Sequence, residues 1–419
     1  MTASPFKSYL AILALALTGG ALLLVAFVII VDPYGLYGVV RRDNFNAVKP
    51  GLSRYQSQIK QEHALRRRPQ FIILGNSRAE IGFDPRASAL SALGTGYNLA
   101  IPGTGLATSA SQFAQLRQAG IRPRTVIAGM EFIDFLNPAV ASAARPAAAT
   151  APSAHGRIFW RFDALFSLAS VKDAVHTLRI QHDGEAATLS ADGFNPLLEY
   201  GAHVRRDGYH KMFTQRARES AAGLRRKSTH GFATEDFLVL RAFLLAMAAT
   251  QADIKLVIYP YHAQLLAMFE AAGLWPLFDE WKDQLVLAIG EVRARYPDAR
   301  ISLTDFSGYG AYNCEPIPAA NERERATRWY WEAGHFKKAL GDIVLQRLMS
   351  PQENAPGEGQ FGMPLDGARL EENRARIAQE RSSCAAAQPA LFSSQLFAMQ
   401  GSHFGGRTQT QTSATYTNK

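Results

Sequence analysis

A chain of 419 residues, 47% of them hydrophobic, has the material for one large buried core or two modest ones. Only 19% of the residues are charged, yet the formal net charge is +9. The basic residues are scattered, with their densest run at Arg66, Arg67 and Arg68, and no recognition motif accompanies them. That argues against nucleic acid as a partner and suits an anionic membrane surface or an acidic glycan equally well.

Taken in chain order, residues 1–8 precede a run from Tyr9 to Val31 that carries no charge and is bounded by Lys7 and Asp32. As a helix rising about 1.5 Å per residue, this run is long enough for a bilayer core of roughly 30 Å. A cleaved signal peptide would have an apolar region of about 7–15 residues ending at small side chains. Here the run ends in Phe27, Val28, Ile29, Ile30 and Val31, so a retained transmembrane helix over 9–31 is expected. Arg41, Arg42 and Lys49 follow it and by themselves favour a cytoplasmic C-terminal side. Long domains, however, translocate largely regardless of such charges.

Residues 32–69 read as a polar connector with helical pieces. Five short apolar runs then end at breakers or polar residues: Phe71–Leu74 at Gly75, Gly96–Ile101 at Pro102, Thr125–Gly129, Ile254–Tyr259 at Pro260, and Ile301–Thr304 at Asp305. They are too short for helices, rich in β-branched and leucine residues, and separated by helical stretches such as Thr108–Ala119. This alternation predicts an α/β fold: a doubly wound, flavodoxin-like parallel sheet of about five strands, with functional residues beyond the strands' carboxyl ends. The main domain is expected over 70–350, with an insertion at about 138–230. Within it, Pro138–Pro152 is Ala/Pro-rich, and Arg157–Lys227 combines a helical piece with a polar stretch bearing Gly193, Gly201 and Gly208. The insertion reads either as a lid or substrate wall or as a spacer. A last helix is predicted over Phe336–Met349, with Leu340, Val344 and Leu348 on one face, and disorder over 351–419.

The two cysteines, Cys314 and Cys384, form no CxxC and fit no metal spacing. They can pair in an oxidising compartment, although Cys384 falls in the segment expected to be disordered. Neither a dinucleotide fingerprint nor a P-loop is present, and no cofactor or metal is expected; Glu131 and Asp134, after the third strand, lack enough companion ligands.

Two stretches can carry chemistry. In Phe71-Ile72-Ile73-Leu74-Gly75-Asn76-Ser77-Arg78 a buried strand stops at a glycine and a serine follows in the turn. That places the Ser77 hydroxyl at the sheet's carboxyl edge, with its own N–H facing a developing oxyanion. A serine in this position is also a common turn or N-cap residue. Near the C-terminus, Glu332-Ala333-Gly334-His335 puts a carboxylate three residues before a histidine. A nucleophilic serine needs such a base, and the base needs such a carboxylate. Alone, the pair also fits the capping of the helix that follows.

Together the two stretches resemble the SGNH (GDSL-like) hydrolase family, over roughly residues 70–350. The resemblance implies Ser77 as nucleophile, His335 as general base and Glu332 as the third member, where the family usually has aspartate. In Asn98-Leu99-Ala100-Ile101-Pro102-Gly103-Thr104, Gly103 matches the family glycine whose N–H joins that of Ser77 in the oxyanion hole. At the third family block, Gly129 is followed by Met130 and Glu131, whereas the family has an asparagine donor two residues after the glycine. The span, Asp32-Pro33-Tyr34 and the Gly-x-Ser-Arg turn look closest to the anchored branch related to alginate O-acetyltransferase-like proteins.

That branch implies an esterase or O-acyltransferase working on acyl esters of a cell-envelope glycan, in or beside envelope polysaccharide machinery. It also implies a bacterial inner-membrane anchor with the domain extracytoplasmic. The alternative is a catalytically inactive glycan-binding or assembly subunit. Weaker substrate-binding candidates are Arg78, Asn98 and His262.

Overall fold

The structure, a computed structural model, describes residues 5–138, 154–350 and 361–392. The leucine- and alanine-rich start forms a single helix, α1 (Pro5–Val31), with 26 residues of mean hydropathy 2.7 over Phe6–Val31. Only 11% of its most apolar window is buried, so it is not a core helix; it is long and apolar enough to cross a membrane. Its end is capped by side chains. Asn46 Nδ2 donates to the carbonyls of Ile30 and Val31 at 3.1 Å each, and Lys49 Nζ donates to the carbonyls of Val31 and Asp32 at 3.3 and 2.6 Å. These bonds satisfy carbonyls that a helix end leaves without intrahelical donors.

The connector contains α2 (Gln56–Arg67) and leads into β1 (Phe71–Leu74), α3 (Ser77–Gly82) and β2 (Gly96–Asn98). There follow α4 (Leu106–Gln118), β3 (Thr125–Met130) and a short β4 (Leu136–Pro138). The inserted region is mostly helical: α5 (Ala154–Phe166), α6 (Leu168–Arg179), α7 (Leu198–Asp207) and α8 (Tyr209–Leu224), then β5 (Lys227–Phe232), which pairs back on β4. Gly201 lies inside α7 and Gly208 joins α7 to α8, within the stretch that reads as polar in the sequence. The Ala/Pro-rich stretch lies outside the described residues except for Pro138. The chain continues through α9 (Thr234–Ala248), β6 (Asp253–Ile258), α10 (Ala263–Ala271), α11 (Trp275–Arg295) and β7 (Ile301–Asp305). Last come β8 (Tyr330–Glu332), β9 (His335–Phe336), α12 (Lys338–Met349), β10 (Met363–Pro364) and α13 (Leu370–Ala387).

The central sheet has six strands in the order β10-β7-β6-β3-β1-β2; five are parallel and β10 runs antiparallel on the edge. All four β1 residues are fully buried, and successive strand side chains point to opposite faces, so both faces of the sheet are covered. Beyond the end of β2 the chain keeps to β1, with Leu99 N donating to Ile73 O at 2.8 Å and Ile101 N to Gly75 O at 3.1 Å.

Two expectations are corrected. The segment 361–392 is ordered: it supplies the sixth strand and α13, and Cys314 and Cys384 form a disulfide between Cα atoms 5.9 Å apart. The helix expected to open at Phe336 starts at Lys338, because His335–Phe336 first pair with Tyr330–Glu332 in a two-stranded hairpin.

Candidate active site

Strand β1 is followed by Gly75, whose φ of 147° and neighbour Tyr259 both require a glycine: a Cβ there would run into the Tyr259 hydroxyl. A Cβ at Gly129, at the matching point of β3, would overlap the same ring. The chain can therefore turn sharply from β1 into α3. Asn76 caps that helix by accepting from Arg78 N at 3.0 Å, and Ser77 occupies its first turn. At that position the Ser77 amide lacks an intrahelical acceptor.

The hairpin of β8 and β9 brings the other two groups. Glu332 and His335 are paired across it, the Ala333–Gly334 turn between them. Ser77 Oγ lies 2.7 Å from His335 Nε2, and His335 Nδ1 is hydrogen-bonded to Glu332 Oε1. The remaining carboxylate oxygen accepts from Gly334 N at 2.7 Å. Glu332 is buried, whereas the His335 side chain keeps 31% of its surface. The relay is thus dry at its carboxylate end and open at the imidazole. Burial alone would push the Glu332 carboxyl up. The adjacent His335, its hydrogen bond and the Gly334 N–H outweigh that and hold it at about 2. Glu332 is therefore an ionised acceptor at neutral pH, fixing the His335 tautomer that leaves Nε2 as the acceptor toward Ser77.

Gly103 lies in the exposed loop between β2 and α4, the strand next to β1. Its loop is tied down from below. Lys60 of α2, fully buried, donates to Ala100 O at 2.7 Å and pairs with the equally buried Glu80 of α3 at 2.8 Å. Lys60 and Glu80 thus join the connector, the helix bearing Ser77 and the loop bearing Gly103. Desolvation lowers the Lys60 pKa, opposed by Glu80. Removing either partner of such a pair strands a buried charge, typically at a cost of about 3–5 kcal/mol. The polar sequence of α2 gives no sign that Lys60 faces inward.

Glu131, the residue standing where an asparagine donor was expected, is folded into a pocket of donors. One oxygen pairs with Arg78 and accepts from Asn76 Nδ2 at 3.1 Å; the other accepts from the Tyr261 hydroxyl at 3.0 Å. Asn76 and Arg78 flank Ser77, so Glu131 clamps the Ser77 turn to β3, and its charge is met by a guanidinium. The guanidinium also sits over Tyr261, 5.1 Å from the ring centroid. Arg78 is accordingly neither a surface ion pair nor a free anion receptor. Asn76 and Tyr261 were not legible as parts of this cluster, because the partner that organises them is some 55 residues from one and 130 from the other.

Two other candidates belong to the scaffold. The Asn98 amide is fully buried and donates to the carbonyls of Ala79 and Phe83 at 2.8 Å each, while its oxygen accepts from Ala100 N at 3.0 Å. It fixes the turn after α3 and has no donor left for a substrate. His262 is also fully buried. Its Nε2 bonds Glu315 O at 2.8 Å, and its Nδ1 accepts from Gln264 N at 3.1 Å, capping α10. Burial pulls its pKa down to about 4, so it stays neutral.

The insertion braces both halves of the relay. Asp192 O accepts from Asn98 N at 2.8 Å, and Asn195 N donates to Glu80 O at 3.2 Å. On the hairpin side, Tyr200 of α7 meets Trp331 edge to face at 6.1 Å, and Lys337 Nζ donates to the Tyr209 hydroxyl of α8 at 2.7 Å. The insertion thus touches both the helix that carries Ser77 and the strand that carries Glu332. The chain matches no family model and no curated protein.

Proposed function

We propose that this protein is a membrane-anchored serine esterase or O-acyltransferase of the SGNH type, acting on acyl esters of a cell-envelope glycan. One observation carries the reading: a serine hydroxyl and a histidine 258 residues apart meet at 2.7 Å, with the imidazole's other nitrogen held by a buried, ionised glutamate. The strand order supports it as well, since the parallel strands run β2-β1-β3-β6-β7 and the order reverses beside β1, where Ser77 emerges.

In this reading Ser77 Oγ attacks the ester carbonyl carbon while His335 Nε2 takes its proton. Glu332 stabilises the imidazolium. The Ser77 and Gly103 N–H groups take the oxyanion. Collapse of the tetrahedral adduct expels the alcohol, protonated by His335, and leaves an acyl ester on Ser77. Water or a sugar hydroxyl, deprotonated by His335, then releases the acyl group.

An extracytoplasmic domain is supported by the Cys314–Cys384 disulfide, since such bonds persist in oxidising compartments. Lys49, one of three charges favouring the opposite orientation, is occupied in capping α1. The alternative, an inactive glycan-binding or assembly subunit, draws on Glu131. With no asparagine donor there, the oxyanion hole has one donor fewer, typically worth about 10²–10³ in rate.

A fluorophosphonate probe and a chromogenic acetyl ester separate the two. Labelling of wild type is expected, with none in Ser77→Ala and little in His335→Ala; Ser77→Ala should also lose about 10³–10⁶ of turnover. An unlabelled wild type would favour the binding subunit.

A further inference from the structure

Helix α5 is apolar on two faces. Its inner face is accounted for: Trp160 and Ala164 are buried with Tyr34, Leu36 and Ile59, and Leu165 packs with Val28 and Val31 of α1 and Ala174 of α6. A surface helix of a soluble protein then turns polar side chains outward. Helix α5 does not. Phe162 and Phe166, one turn apart and stacked with centroids 4.3 Å apart, are 56% and 54% exposed, and Leu168 just beyond the helix is 84% exposed. Phe159 lies on the same face.

The position of this face relative to α1 says what covers it. The 26 residues Phe6–Val31 span about 39 Å at 1.5 Å each, whereas a bilayer core of roughly 30 Å needs about 20 residues. With Lys7 at the opposite surface, the last turn and a half of α1 lies at the boundary between acyl chains and headgroups. Phe27, Val28 and Val31, which pack beside α5 and α6, fall in that stretch. Helix α5 therefore packs beside the exit end of α1, and Phe162, Phe166 and Leu168 are exposed next to that end.

We propose that Phe162, Phe166 and Leu168 form a membrane-docking face that inserts into the interfacial region of the bilayer crossed by α1. Bulky apolar side chains presented at this depth are those of an interfacial helix, which lies in the membrane plane with its apolar face about 5–10 Å deep. The docking gives the domain a second attachment and so fixes its tilt. It rests on α1 being a retained span and is independent of the ester chemistry.

Both native cysteines are paired among the described residues, so a single introduced cysteine can carry an environment-sensitive NBD label. The full chain is reconstituted in phosphatidylethanolamine/phosphatidylglycerol vesicles with the label at Phe162→Cys, Leu15→Cys in α1, or Leu287→Cys, 56% exposed on α11. The Phe162→Cys label should emit to the blue of the Leu287→Cys label. It should be quenched by doxyl lipids labelled near the headgroup and should resist aqueous iodide several-fold better. Iodide quenching equal to that at Leu287→Cys, with doxyl quenching intact at Leu15→Cys, would overturn the docking while leaving the anchor. Protection from iodide without doxyl quenching would give the face to another protein and likewise overturn it. No lipid quenching at Leu15→Cys would remove the anchor and the docking together.

Discussion

Glu332 is where the chemistry and the stability of the site coincide. Its carboxyl is held at about 2 against an ordinary value of 4.5, a gap equivalent to about 3 kcal/mol for a buried group. A depressed carboxyl contributes stability that is present above its unfolded pKa and lost as the pH falls through the folded one. This loss therefore belongs to the window from about pH 4.5 to 2. Neutral, buried His262 adds a separate window: it takes up its proton only near pH 4 when folded, so stability also declines as pH falls from about 6.5 to 4. Glu332→Gln keeps the shape but cannot stabilise an imidazolium. It should lose about 10³–10⁴ in kcat on an acetyl ester. In urea titrations from pH 7 to 2.5 the variant should keep the upper loss and lack the lower one. Parallel curves for the two proteins below pH 4.5 would mean that Glu332 is not held as an ion.

Among the elements, the contrast between α12 and α13 explains what could be read from sequence. Leu340, Val344 and Leu348 give α12 a visible apolar stripe, and all three are buried. Helix α13 buries only Asn373, Ile377 and Cys384. It is held instead by charges: Arg374 donates to both oxygens of Asp283 at 2.6 Å, and Arg381 Nε to Glu270 at 2.7 and 2.8 Å. Hydrophobic periodicity cannot register such attachment, so a charged helix looked like a disordered tail. These ion pairs are partly exposed, and the disulfide carries more of the load. Closing a loop of 70 residues is worth about 4 kcal/mol in the chain-entropy account. Replacing Cys314 and Cys384 together by serine should speed amide exchange across 370–387 and lower the unfolding midpoint, while Ser77 still reacts with a fluorophosphonate. Unchanged exchange in α13 would show that the ion pairs suffice.

At the scale of the whole molecule, the strands, the breakers after them and the two ends of the relay were legible because each is local: an apolar run, a glycine, a carboxylate three residues from a histidine. What was not legible is what holds them in register. The clamp of Glu131 on Asn76 and Arg78 and the Lys60–Glu80 tie to Ala100 join distant segments whose polar residues carry no periodic signature. The same holds for α1, which the sequence shows as long and apolar enough to cross a membrane but not as part of the fold. Val28 and Val31 are buried against the domain, and Asn46 and Lys49 cap the helix end. Cleavage before Asp32 would expose that seam, so the mature protein should retain α1, and its N-terminal peptide should lie upstream of Tyr9 by mass spectrometry. In the proposed orientation, alkaline phosphatase fused after residue 392 should be active in a bacterial host, and green fluorescent protein at the same point, exported unfolded, should be dark. Fluorescence with an inactive phosphatase would place the relay in the cytoplasm. There a disulfide would not persist, and the charges of Arg41 and Arg42 would have set the topology after all.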